Sequence, residues 1–131
     1  MKIALTSLHV NDPLAAFKFY TEVLGFIERM YLPKMLLAIV AAPEEPGGTG
    51  LLLEPNDNPI AKAYQTGLYE AGIPAMVFGV ADVQAEYERL AARGVTFKQT
   101  PTQTNWGIEA VLDDTCGNFV QIMQLTPPPA A

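Results

Sequence analysis

Cysteine, histidine and tryptophan each occur once in these 131 residues. A lone Cys116 forms no internal disulfide, which suits a reducing compartment. Positive charge is also scarce: 8 Lys and Arg stand against 14 Asp and Glu, for a formal net charge of −6. No basic stripe is present to neutralise phosphates, which excludes nucleic acid as a partner. No apolar run approaches the length of a bilayer span, so no membrane partner is expected. Met1-Lys2 leads directly into a strand-like stretch without a signal-peptide core, and the expected location is cytoplasmic. Neither a phosphate loop, a Ser-His-Asp triad nor a paired-Cys metal motif can be written from the chain.

What is present is apolar and regularly punctuated. Half the residues are hydrophobic, enough for one domain with a real core. Lys2 to Val10 alternates as a strand, with Leu5, Ser7 and His9 on one face. Asp12-Pro13 starts a helix, the carboxylate capping free amides and the proline fitting the first turn. Leu14, Phe17, Tyr20, Val23 and Leu24 then form an apolar stripe that Gly25 ends. Tyr20 belongs to that packed stripe, as Tyr87 does to its counterpart further on. Strands are predicted over Phe26 to Met30, Lys34 to Ala41 and Gly50 to Glu54. Pro59 opens a short helix closed by Gly72.

The second half repeats the first. Val80-Ala81-Asp82, a helix and Gly94-Val95 match Val10-Asn11-Asp12, a helix and Gly25-Phe26. A strand over Ala75 to Val80 precedes that helix, and strands over Val95 to Lys98, Ile108 to Leu112 and Phe119 to Met123 follow it. The pattern predicts module 1 over about residues 1–55, a connector over 56–72 and module 2 over about 73–125. Together they make a single domain over 1–126, before a disordered Pro-rich tail over 127–131. The expected fold class is α+β, two βαβββ modules forming a concave mixed sheet. Near the end, Asp113 to Asn118 is a turn feeding the last strand, where Phe119, Gln121 and Met123 share a face. An amide between two apolar side chains is unusual for plain core.

Phe19-Tyr20-Thr21-Glu22-Val23-Leu24-Gly25-Phe26, with Asp114-Thr115-Cys116-Gly117-Asn118-Phe119-Val120-Gln121, resembles the vicinal oxygen chelate superfamily. That group includes glyoxalase I, bleomycin-resistance proteins, methylmalonyl-CoA epimerase and extradiol dioxygenases. The resemblance runs from about Lys2 to Leu125. It implies a cleft in which metal-using members take one His, Glu or Gln ligand from each of four strands. Carried onto this sequence, those positions fall on Leu5, Leu51, Ala75 and Gln121. Aliphatic side chains have no lone pairs, so the expectation is a site without metal or other cofactor.

The candidate ligand-binding residues are then His9, Gln121, Leu5, Leu51, Ala75, Met123 and Trp106. His9 is a polar contact or a half-exposed strand-end histidine; Gln121 is a hydrogen-bonding anchor or a side chain satisfied by backbone. Trp106 stacks on a flat or cationic ligand, or packs beneath its loop. Glu54, out of phase with Leu51 and Leu53, is expected to face away from the cleft, and Glu109 is a candidate pocket acid. Cys116 has no histidine near it in sequence and is not expected to be a nucleophile. No catalytic residue is assigned. The expected function is binding of a small, partly apolar molecule in a metal-free cleft, by a symmetric homodimer resembling the bleomycin-resistance branch. The alternatives are a glyoxalase- or epimerase-type enzyme with an altered metal site, and a fold relic whose role is interaction.

Overall fold

Two aspartates, Asp12 and Asp82, start the helices that organise this chain. In the computed structural model, which describes residues 1–125, Asp12 Oδ1 accepts the Leu14 amide at 2.9 Å. Asp82 Oδ1 accepts the Ala85 amide at 3.0 Å. Each occupies an extended backbone conformation before the first turn, the geometry that satisfies otherwise orphaned helix amides. The tail over 127–131 lies outside the described residues.

The chain forms two compact units, Met1–Gly67 with Thr115–Gly117, and Leu68–Asp114 with the chain from Asn118. In the first, β1 (Leu5–Val10), β2 (Ile27–Leu32), β3 (Leu37–Ala41) and β4 (Gly50–Pro55) make a mixed sheet ordered β1-β4-β3-β2. The pair β1–β4 is parallel and the other two pairs are antiparallel. Helix α1 (Pro13–Lys18) packs on β3 and β4. It continues as a π turn over Phe19–Val23, where the Leu24 amide donates to the Phe19 carbonyl at 3.1 Å. The Thr21 hydroxyl competes for the Phe17 carbonyl at 2.7 Å, the kind of back-bonding that distorts a helix. Tyr20, on this turn, is fully buried.

The strand predicted from Lys34 begins only at Leu37, after a 3-10 turn over Pro33–Met35 and a left-handed Leu36 (φ 51°). Pro33 lacks an amide for the ladder but fits the first position of the turn. Helix α2 (Pro59–Ala71) follows β4 in sequence.

In the second unit β5 (Met76–Gly79), β6 (Phe97–Thr104), β7 (Gly107–Asp113) and β8 (Phe119–Leu125) form a mixed sheet ordered β5-β8-β7-β6. Helix α3 (Val83–Ala92) packs on β6, β7 and β8. The strand predicted over Val95 to Lys98 is longer and later, running from Phe97 to Thr104. Pro101 is tolerated because β6 is an edge strand whose register shifts on either side of Gln99.

Each unit therefore repeats strand, helix and three strands, an α+β arrangement. In both, one sheet face carries the core. Leu8, Val10, Val40, Leu51 and Leu53 are buried in the first unit; Val83, Leu90, Ala110, Leu112, Val120 and Ile122 are buried in the second. A fully buried Val or Leu contributes about 1.5–3 kcal/mol, so these faces hold the fold. Among the described residues no helix is long and apolar enough to cross a membrane.

Candidate functional site

Sheet register assigns each candidate to a face. In the first unit a Cβ on Gly50 would lie 2.8 Å from Leu5 Cδ2 and 3.0 Å from Ile39 Cγ2, so these three residues share a side. His9 lies on it with Leu5 by strand parity. Leu51 does not. It pairs with Val40 among the core residues and is only 5% exposed. Leu52 takes the place expected of it, because three consecutive leucines offer no alternation from which to read parity. Glu54 is corrected with it: paired in register with His9, its Oε2 stands 3.7 Å from His9 Nε2. His9 Nδ1 is 3.5 Å from the Pro55 carbonyl. This face thus carries an imidazole beside a carboxylate and, two rows along the strand, a Leu5 that is 48% exposed.

In the second unit Gln121 is level with Val77 and Val111, and Met123 is level with Gly79 and Glu109. The Ala75 amide donates to the Phe119 carbonyl at 2.9 Å, continuing the ladder by one residue. Ala75, Gln121 and Met123 therefore stand on the face turned away from the helix-side core, with Phe119, Val111 and Glu109. Gln121 Nε2 donates to Glu109 Oε2 at 3.1 Å. Glu109 is the residue whose role the sequence left open, since its strand phase depended on where the β6–β7 hairpin turned. Counting back from the Asp113 turn in steps of two would have placed it.

Trp106 stands apart from this group, at the hairpin tip between β6 and β7, and is 73% exposed. Packing beneath a loop is therefore corrected. Thr104 Oγ1 accepts the Trp106 amide and donates to the Gly107 carbonyl, which fixes the turn but leaves the indole in solvent.

Tyr69 closes one end of the same face. Its ring stacks on Phe119 with centroids 4.5 Å apart, and its hydroxyl donates to Asp113 Oδ2 at 2.6 Å. Lys98 Nζ lies 5.7 Å from the Phe119 ring centroid. The hydrogen bond to Asp113, reinforced by its negative charge, raises the Tyr69 phenol above its ordinary value. Since the folded-state value is the higher one, the stabilisation is complete below the unfolded phenol range and is lost as pH rises through the folded value. An alkaline titration followed by tyrosinate absorbance should show a late component that is absent in Tyr69→Phe. A variant titrating like the parent would reject the assignment.

The turn before β8 is built from amides. Asp114, fully buried, accepts from the Asn118 amide at 3.0 Å and from Asn118 Nδ2 at 3.1 Å. Within the first unit, Gln65 Nε2 donates to the Cys116 carbonyl at 3.2 Å, while Asn56 Nδ2 donates to Gln65 Oε1 and Asn11 Oδ1. Cys116 itself is buried, so its thiol is no exposed nucleophile.

These two helix-capped units meet a known pattern. The Glyoxalase/Bleomycin resistance protein/Dioxygenase superfamily matches residues 2–122. The chain belongs to that superfamily. It is 49% identical over 126 residues to the uncharacterized protein YurT of Bacillus subtilis, covering 95% of this chain and 99% of that one. Among solved structures, UcmS2 superposes with a TM-score of 0.78 at 29% identity, over 94% of this chain and 97% of its own. TnmS3, an antibiotic binding protein from Streptomyces sp. CB03234, gives 0.73 at 25% identity, over 96% and 97%.

The donor set of this member does not suit a divalent ion. Leu5 and Ala75 have no lone pairs in their side chains, and correcting Leu51 to Leu52 exchanges one aliphatic group for another. Among the described residues no three His, Cys, Asp or Glu side chains gather where an ion could be held.

Proposed function

We propose that the chain binds a small, partly apolar molecule on the face of the second unit that carries Gln121, without using a metal. The observation that supports it most is the Gln121–Glu109 hydrogen bond, set among Val77, Val111, Met123 and Phe119. Apolar walls with a few convergent polar groups are the usual make-up of a ligand site. Membership of a superfamily that includes a structurally similar antibiotic binding protein supports the same reading.

Ligand discovery by thermal shift, including antibiotics among the compounds, supplies the molecule for the test. Gln121→Leu then removes the amide and leaves a buried ligand group short of a partner, at a cost of about 1–3 kcal/mol. Affinity should fall roughly ten- to a hundredfold while the melting temperature holds, because Gln121 is not in the helix-side core. Undiminished affinity would remove Gln121 from the site.

A second reading, an enzyme with an altered site, draws on the His9–Glu54 pair, an arrangement suited to proton transfer. Steady product formation from the bound compound, abolished in His9→Ala, would favour it over binding alone. A homodimer belongs to the first reading, supported by the exposure of Leu5 and Val77, and a cytoplasmic location is proposed with it. A monomer mass by light scattering at micromolar concentration would reject the dimer.

A further inference from the structure

We infer that the molecule held on the Gln121 face carries a cationic group, an ammonium or amidinium on an apolar body, with the Glu109 carboxylate as its counter-ion. The inference rests on the binding reading of that face and adds the charge of the ligand.

Glu109 is half-buried in a central strand, and among the described residues no Lys, Arg or His pairs with it. A carboxylate held partly out of water beside valine and methionine is costly unless something compensates its charge. Its neighbours do not. Thr102, directly across the register from Glu109, spends its hydroxyl proton on the Thr100 carbonyl at 2.8 Å. Lys98 stands over the Phe119 ring, one row beyond Gln121 from Glu109 along β8. Asp113, the other carboxylate on this face, already accepts from Tyr69.

Among the described residues only Gln121 donates to Glu109, and in doing so it uses one of its two amide protons. What remains towards a ligand is mainly acceptors: the other lone pairs of Glu109 and the Gln121 carbonyl oxygen. A partner that donates, and that brings positive charge, completes this set; a carboxylate or phosphate would be repelled by it. Room for the apolar body lies across Met123 from the carboxylate. Gly79 is level with Met123, and a Cβ built there meets nothing within 4 Å. The net charge of −6 attracts a cation from a distance as well.

The test uses matched probes, 2-naphthylmethylammonium and the neutral 2-naphthalenemethanol, followed by methyl NMR shifts at Ala75, Val77, Val111 and Met123. The ammonium probe should bind about tenfold more tightly than the alcohol or better, and the isosteric Glu109→Gln should bring the two to within about twofold. Added salt should erode the preference in the unmodified protein, a readout independent of how the variant folds. Equal affinity for both probes, with the same methyls shifting, would overturn the cationic ligand and leave the binding face standing. If neither probe moves these methyls at millimolar concentration, the face and the inference both fall.

Discussion

Gly117→Ala will destabilise the protein by about 3 kcal/mol, with two separable causes. Gly117 has φ +97°, where a side-chain-bearing residue pays about 1–2 kcal/mol. A Cβ there would also stand 2.4 Å from Gln65 Nε2 and 2.7 Å from Asn11 Oδ1, well inside contact distance. Gln65 is 4% exposed and cannot retreat without giving up its bond to the Cys116 carbonyl, leaving buried polar groups unpaired at about 1–3 kcal/mol. For a chain of this size the melting temperature should drop by about 10 °C. Gly94→Ala is the control, since Gly94 has φ +86° but open space around its Cβ. It should show the backbone cost alone, about a third to two-thirds of the effect. Equal losses in the two variants, by thermal or urea unfolding, would show that the amide cluster around Gly117 contributes nothing.

Gly79→Leu will do the reverse, sparing the fold and abolishing binding. The glycine has an ordinary backbone conformation and an unobstructed Cβ, so leucine is accommodated without strain. A strand even gains slightly from losing a glycine. Register places the new side chain beside Met123, where it fills the open space on the face that carries Gln121. A ligand that needs this space should lose at least about a hundredfold in affinity, or roughly 3 kcal/mol. Calorimetry with the compound found by thermal shift, at unchanged melting temperature, reads the outcome. Full affinity in Gly79→Leu would move the ligand off this part of the sheet.

The elements most legible in the chain were those specified within a few residues. Asp12-Pro13 and Asp82 announce helices because a capping carboxylate and the amides it satisfies lie within one turn. The same local code, repeated around Gly25 and Gly94, disclosed the two modules, and the alternation through Phe119, Gln121 and Met123 exposed an amide on an apolar face. Caps and alternation reach no further than their own segment.

Whether Leu51 or Leu52 joins Leu5, and whether Glu54 meets His9, depend on which residue of β4 lies opposite which residue of β1. The partner of Gln121 likewise depends on where β7 sets its register against β8. The strand predicted to stop at Lys98 runs on to Thr104, because an edge position with shifting register lets β6 pass through Pro101. Side chains alternate with a period of two, so sliding a pairing by one residue turns a strand's entire set of side chains to the other face. That choice is made by contacts between segments far apart in the chain, and only the folded sheet records it.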